Sequence, residues 1–396
     1  MIEKKIAVDS TVLLRGAEGV ADSAILTGFR SMIEAEAVTR ARAVGYTVRP
    51  EYCHVGEFGI DIIGETAPAP FRLPDGSYLP EGVRGVMSGE YAALLSVDTN
   101  GFPERSAAVS GLINVKPTFG TVSRYGIVPV ATSLDTVTVT ASTARECREV
   151  LAAISGRDEK DPQTVASALC PMKNGEDSGC IRRVGVPREV VRKSDPEVRR
   201  GVIALLSALD RAGVEIVEIP KESCKLFSIA HAARNVILCA ELRGNLSRYD
   251  GVRYGKPAYE CSDLSELYTR TRSEGFGELV KLSLLYGSYV LSPDGGEMGF
   301  SEASRIRDWV RGEVKSLYSE LGIEGMIIPA TTALFYTEDN VKTRRFTAFS
   351  ENFYTAIPSL CGLPSLTLDG IQIVGARFSE GALLSLAEQW AAASRR

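Results

Sequence analysis

"RRVGVPREVVRKSDPEVRRGVIALLSALDRAGVEIVEIP", residues Arg182–Pro220, reads as strand, helix, strand. Ser194 stands at an N-cap position, with Pro196 in the first turn and Glu197 three residues on, the pattern of a capping box. Val198, Val202, Leu205, Leu206 and Leu209 recur on one helical face, and Gly213 supplies the stop. A strand–helix–strand crossover is right-handed and pairs its strands in parallel, so the chain is an α/β protein. The same periodicity predicts helices in "STARECREVLAAIS" (142–155), "SEASRIRDWVRGEVKSLYSELG" (301–322) and "SEGALLSLAEQWAAASRR" (379–396). It predicts strands in "GMIIPA" (325–330) and "IQIVGA" (371–376).

Composition narrows the function classes. The chain has 396 residues, 44% hydrophobic and 24% charged, ordinary globular values. A net charge of −5 argues against direct nucleic-acid binding, which needs clustered Lys and Arg to neutralise phosphates. No apolar run is long enough to span a membrane, and "MIEKKIAVDS" is no signal peptide, so the expected location is the cytoplasm. The eight cysteines form no CxxC pair, which reads as reduced thiols and no metal site. Nothing in the sequence asks for a cofactor. The two histidines, His54 and His231, leave little scope for a histidine-based nucleophilic site, and both are read as structural or surface groups. We expect one domain over 1–396, with a surface linker at 155–179 and a second Pro/Gly-rich segment, "GETAPAPFRLPDGSYLPEGVRG", over 64–85.

The stretch "SVDTNGFPERSA" (Ser96–Ala107) has the setting of a catalytic loop: an apolar strand, a tight glycine-containing turn, then a helix start. Phenylalanine holds its centre. Downstream, "KPTFGTVSRYGIVPVATSLD" (Lys116–Asp135), "NLSRYDGVRYG" (Asn245–Gly255), "TRSEGFGELVK" (Thr271–Lys281) and "LCGLPSLTLDGIQIVG" (Leu360–Gly375) follow in order. These motifs resemble the amidase-signature family, and within it the A-subunit branch of the aminoacyl-tRNA amidotransferases. The resemblance runs from about Ile6, and the family's N-terminal helical segment is missing. It implies a mixed, twisted β-sheet covered by helices on both faces.

The resemblance also implies a Ser-Ser-Lys triad, with backbone N–H groups of the loop holding an oxyanion. The family's Asp-Thr-Gly-Gly-Ser reads Asp98-Thr99-Asn100-Gly101-Phe102 here, so Phe102 takes the nucleophile position. With Asp9 matched to the family's aspartate, Val8 takes the place of the lysine. Ser88 of "GVMSGEY" is the match for the bridging serine, and the helix that follows it in the family is shortened here. The family's substrate arginine is replaced at Leu282 and Ser283, and its substrate aspartate at Asn352.

Three readings follow from these matches. The first is a catalytically degenerate member that serves as a scaffold or partner subunit, bound to B- or C-type amidotransferase subunits or to a second copy of itself. The second is an enzyme with altered chemistry built on Asp9, Asp98 or Ser88. The third is an amide- or amino-acid-binding module using Thr99, Asn100, Gly101 and Asn352. Arg124, Tyr125 and Asp250, in the retained motifs, are read as packing and loop-closing groups. Phe102 is expected to fill the former substrate pocket with Val8 nearby.

Overall fold

The computed structural model describes residues 4–60, 71–72, 78–166, 179–293, 299–331, 349 and 352–394. Its centre is a mixed sheet of ten strands. These are β1 (Lys5–Val8), β2 (Thr47–Val48), β5 (Ala93–Asp98), β6 (Ile113–Lys116), β7 (Thr136–Ala141), β8 (Arg183–Val186), β9 (Glu215–Glu218), β10 (Gly325–Pro329), β11 (Ser365–Leu368) and β12 (Ile371–Gly375). A separate pair, β3 (Phe71–Arg72) and β4 (Tyr78–Leu79), forms a small ribbon. In space the order is β2-β1-β5-β7-β6-β11-β12-β10-β8-β9. The outer pairs are parallel, Ile6 beside Ala93 at one end and Val184 beside Ile216 at the other, while the strands from β5 through β10 alternate in direction.

Helices cover both faces. In chain order they are α1 (Glu36–Ala43), α2 (Glu81–Met87), α3 (Phe102–Ser110), α4 (Ala144–Ile154), α5 (Arg188–Val191), α6 (Pro196–Arg211), α7 (Lys225–Leu246), α8 (Leu264–Gly275), α9 (Glu278–Val290), α10 (Phe300–Leu321), α11 (Ala356–Cys361) and α12 (Glu380–Ser394). One layer packs Val38 of α1, Leu151 of α4, Leu205 of α6 and Leu383 of α12 on Ile6, Val8, Val139 and Ile373. The opposite layer packs α7, α10 and α11 on Met326, Ile328 and Val374, and α2 on Ala7 and Leu94. Alternation along each strand sends neighbouring residues to opposite layers.

The unit at Arg182–Pro220 folds as its sequence predicts, with β8 and β9 parallel and α6 between them. Val198, Val202, Leu205 and Leu209 are buried on its inner face. Asp195, one residue later than expected, holds the N-cap position of α6; the Ser194 hydroxyl donates instead to the Val191 carbonyl at 2.7 Å. The predicted helices at 142–155, 301–322 and 379–396 correspond to α4, α10 and α12, and the predicted strands to β10 and β12.

The first half of the expected linker at 155–179 is no loose connection. Ser155, Asp158, Asp161 and Thr164 are buried. Ser123 Oγ donates to Asp158 at 2.6 Å, and the Arg40 guanidinium donates to the carbonyls of Ser155, Gly156 and Arg157. Residues 167–178 lie outside the described residues, as do 64–70 and 73–77 of the Pro/Gly-rich segment.

Glu57 ties the N-terminal layer to the helices beside the site. Its fully buried carboxylate accepts from Ser23 Oγ at 2.5 Å and from the Gly277 N–H at 2.8 Å, just ahead of α9. Removing it strands the buried Gly277 N–H and leaves the Ser23 hydroxyl a single bond of 3.3 Å to the Gly275 carbonyl. Glu57→Ala should therefore lower unfolding free energy by about 2 kcal/mol or more, read from urea denaturation; an unchanged midpoint would show that the layers are joined by other contacts.

Candidate active site

β5 delivers the loop. After Asp98 the chain turns through Thr99, Asn100 and Gly101 and starts α3 at Phe102. Gly101 has φ +73°, and an added Cβ would lie 2.0 Å from Thr355 Oγ1, so only glycine fits. Its N–H donates to Asp98 Oδ1 at 2.5 Å, which closes the turn on the strand that precedes it. This N–H is thus engaged within the protein and is not free for an oxyanion.

Phe102 is 7% exposed and faces a cavity of about 10 Å³, lined also by Asp9, Cys53, His54, Ser96 and Ser106. That is room for about one water molecule. The strand residue brought beside Phe102 is Asp9, which corrects the expectation for Val8. Ala7 packs with Leu94 under α2, whereas Ile6 and Val8 pack with Leu95 in the opposite layer. Because side chains alternate, Asp9 follows Ala7 to the cavity side, and a register slip of one residue exchanges the two faces.

Ser88 does not reach this cavity. It follows the last turn of α2, exposed, with its hydroxyl donating to the Gly85 carbonyl at 3.1 Å. The cavity is lined by the opposite end of α2, at Pro80, Gly82 and Val83. The length of α2 separates the two places by roughly 10 Å at 1.5 Å per residue. A helix precedes Ser88 and none lies between it and β5.

Burial shapes the charges. Asp9 accepts from Thr11 N–H at 2.8 Å and from Thr11 Oγ1 at 2.5 Å, yet burial pushes its carboxyl up to about 6. Lys116 on β6 donates to Asp98 Oδ2 at 2.5 Å, with Glu104 of α3 at 4.0 Å. Burial works against the Asp98 anion, but Lys116 outweighs it and holds the carboxyl below its usual range. Glu104 has no such bond: both carboxyl oxygens are buried without a hydrogen-bond partner, and burial, reinforced by Asp98, pushes it up to about 8. Thr99 Oγ1 donates to Asp135 at 2.7 Å, and burial lifts Asp135 to about 6.

The residues on the substrate side of the loop are held by an arginine. Arg234, fully buried on α7, donates to Asn100 Oδ1 and to the Thr99 carbonyl, both at 2.5 Å. Asn352, also fully buried, lies 2.6 Å from Asn100 and 2.9 Å from Asn235. Turning its amide also brings His231 Nε2 and the Phe349 carbonyl into bonds of 2.7 Å. The structure thus gathers Thr99, Asn100, Gly101 and Asn352, but in bonds to one another and to Arg234. Leu282 is 37% exposed on α9, and Ser283 is buried with its hydroxyl on the Leu279 carbonyl. Of the histidines, His54 binds Asp22 Oδ1 through Nδ1 at 2.6 Å, a bond that raises its pKa, while His231 is lowered by burial. Asp250 closes its own turn by accepting from the Val252 and Arg253 N–H groups, each at 2.9 Å. Among the described residues no cluster of His, Cys, Asp or Glu could hold a metal ion, and no helix is long and apolar enough to cross a membrane.

Arg234, Glu104 and Lys116 were not singled out from sequence. The signal for Arg234 is a lone charge inside the apolar run "IAHAARNVILCA". That for Lys116 is its place in "INVK", where alternation turns it with Asn114 away from Val115. Glu104 carries a pH signature. Its unfolded value near 4.5 rises to about 8 on folding, so the stability present below pH 4.5 is lost as pH climbs through 8. Glu104→Gln should therefore match the parent near pH 4 and exceed it at pH 8 by at least about 1 kcal/mol in urea titrations. Equal stabilities at both pH values would mean that Glu104 is not buried in its neutral form.

Comparison with known proteins identifies the family. The amidase family profile matches residues 105–384. The A subunit of glutamyl-tRNA(Gln) amidotransferase from Symbiobacterium thermophilum is 30% identical over 407 residues, covering 98% of this chain and 81% of that protein. Its namesake from Bordetella avium is 32% identical over 423 residues, covering 97% and 82%. Among solved structures, the A subunit of the Thermotoga maritima glutamyl-tRNA(Gln) amidotransferase superposes with a TM-score of 0.74 at 23% identity, over 97% of this chain and 82% of that one. The Kluyveromyces lactis urea amidolyase gives 0.79 at 20% identity, over 99% of this chain and 23% of that one. A 6-aminohexanoate cyclic dimer hydrolase gives 0.78 at 19%, over 98% and 84%. With its mixed sheet, its glycine turn at the head of α3 and these matches, the chain belongs to the amidase family and is similar to the A subunits of glutamyl-tRNA(Gln) amidotransferase.

Proposed function

We propose that this protein is a non-catalytic amidase-family subunit, similar to the amidotransferase A subunits, that acts by binding partner proteins. The observation that carries the reading is Phe102 at the head of α3, where the family places its nucleophile. A benzene ring has no group to attack a carbonyl. Asp9 faces it where a proton-accepting lysine would be needed, and its Oδ1 accepts two bonds from Thr11. Arg234 fills the bonds of the loop on the other side. Loss of members of a unit that acts together does not leave a proportionate share of its rate.

The reading as an enzyme with altered chemistry rests on Asp9, a carboxyl raised to about 6 beside a cavity. A space of about 10 Å³ admits no organic substrate, and this favours the first reading. The binding-module reading is weakened by the engagement of Gly101, Asn100 and Thr99 within the protein.

For partner binding the support lies on α9. From Leu282 to Leu291 the chain carries no charge, and Leu285, Tyr286 and Tyr289 are exposed. Exposed leucine and tyrosine on one helix face are the usual core of a protein interface. We place a B- or C-type amidotransferase subunit, or a second copy of the chain, on this face. The expectation is loss of co-purifying protein and of any self-association when Leu285→Glu and Tyr289→Glu are combined, read by light scattering and pull-down. Retention of every partner by a folded double variant would remove α9 from the interface.

Ammonia release from glutamine, with and without added B- and C-type subunits, should stay at the uncatalysed background. Phe102→Ser combined with Asp9→Lys should leave it there, since Ser88 is outside the cavity and Arg234 still holds the loop. Parental turnover abolished by Asp9→Asn, or turnover in the double variant, would overturn the reading.

A further inference from the structure

A second cleft lies on the other side of the Lys116–Asp135 motif. It encloses about 440 Å³, within the range of small-molecule sites. Its walls include Phe119, Arg124, Ser133, Glu241 of α7, and Arg307 and Arg311 of α10. The last two are one helical turn apart and so share a face.

These groups are held in place. Arg124 donates to the Thr132 carbonyl, pairs with Asp161 at 3.4 Å and stacks at 4.8 Å on the Phe119 ring. Glu241 accepts from the Ser133 N–H at 2.8 Å, which turns its carboxylate toward the loop backbone. Arg311 is 42% exposed and reaches Asp308 at 3.3 Å. Arg307 differs from both other arginines. It is half-buried, donates to Ser133 Oγ at 2.9 Å, makes no ion pair among the described residues, and its Nε is buried without a partner.

A guanidinium in a partly desolvated site, with a donor left over, is costly unless an anion completes it. Three guanidiniums line the cleft from two elements; Arg124 and Arg311 are paired with Asp161 and Asp308, Arg307 has no ion pair among the described residues, and the one lining carboxylate, Glu241, is engaged by a backbone N–H. One fork would satisfy a planar carboxylate, whereas a tetrahedral phosphate accepts from several directions and carries more charge. We propose that this cleft is a binding site for a small phosphorylated molecule, with Arg307 as the central contact and Arg311 and Arg124 at its sides. The proposal is independent of whether the Phe102 cavity is catalytic. Ser133 lies two residues before Asp135, which holds Thr99, so an occupied cleft would be joined to the loop by that short segment.

The test is calorimetric titration of the full chain with inorganic pyrophosphate and, separately, with citrate. We expect saturable binding of pyrophosphate, weakened about tenfold or more by Arg307→Ala, as for loss of one charged hydrogen-bonding group. Arg311→Ala, at a half-exposed helix position, gives a second and structurally mild variant and should weaken it as well. Glu241→Gln should not weaken it. Absence of pyrophosphate binding, binding that both arginine variants leave unchanged, or binding of citrate in preference to pyrophosphate would each overturn the proposal.

Discussion

The buried ion pair between Lys116 and Asp98 organises everything around it. Asp98 ends β5 and Lys116 ends β6, and the 2.5 Å contact joins them with both side chains almost wholly out of water. A pair in such a place must satisfy its remaining hydrogen-bonding capacity to offset desolvation. Asp98 does so by accepting from the Gly101 N–H, and that bond sets the left-handed turn from which α3 starts. The direction of α3 in turn aims Phe102 at the cavity and Glu104 at the ion pair. One electrostatic contact thus fixes the turn, the helix and the loop that the family uses for chemistry.

Buried polar groups around Phe102 are held by local bonds. Thr11 supplies two local donors to the Asp9 carboxylate, which offset part of the cost of burying it. Arg234 places a second cation next to the loop, where burial lowers its pKa to about 10 and Asp98 works in the opposite sense. The loop is therefore tied on both sides by bonds within the protein.

The sequence by itself determined the α/β class, the strand–helix–strand unit at Arg182–Pro220 and the positions of α4, α10, α12, β10 and β12, because these depend on local periodicity. It also shows phenylalanine directly after the Asp98–Gly101 turn. Tertiary structure decided what faces Phe102. Whether Val8 or Asp9 enters the cavity depends on a one-residue register in β1, and the strand is buried on both faces, so no amphipathic pattern marks the correct side. Ser88 was placed by similarity of a short motif, but α2 folds ahead of it and carries it to the surface. Arg234 lies 134 residues from Asn100 along the chain, and a contact of that separation leaves no periodic trace in either segment. Only packing of α7 against the sheet brings the two together, which is why the family could be read from residues in order and the state of the site could not.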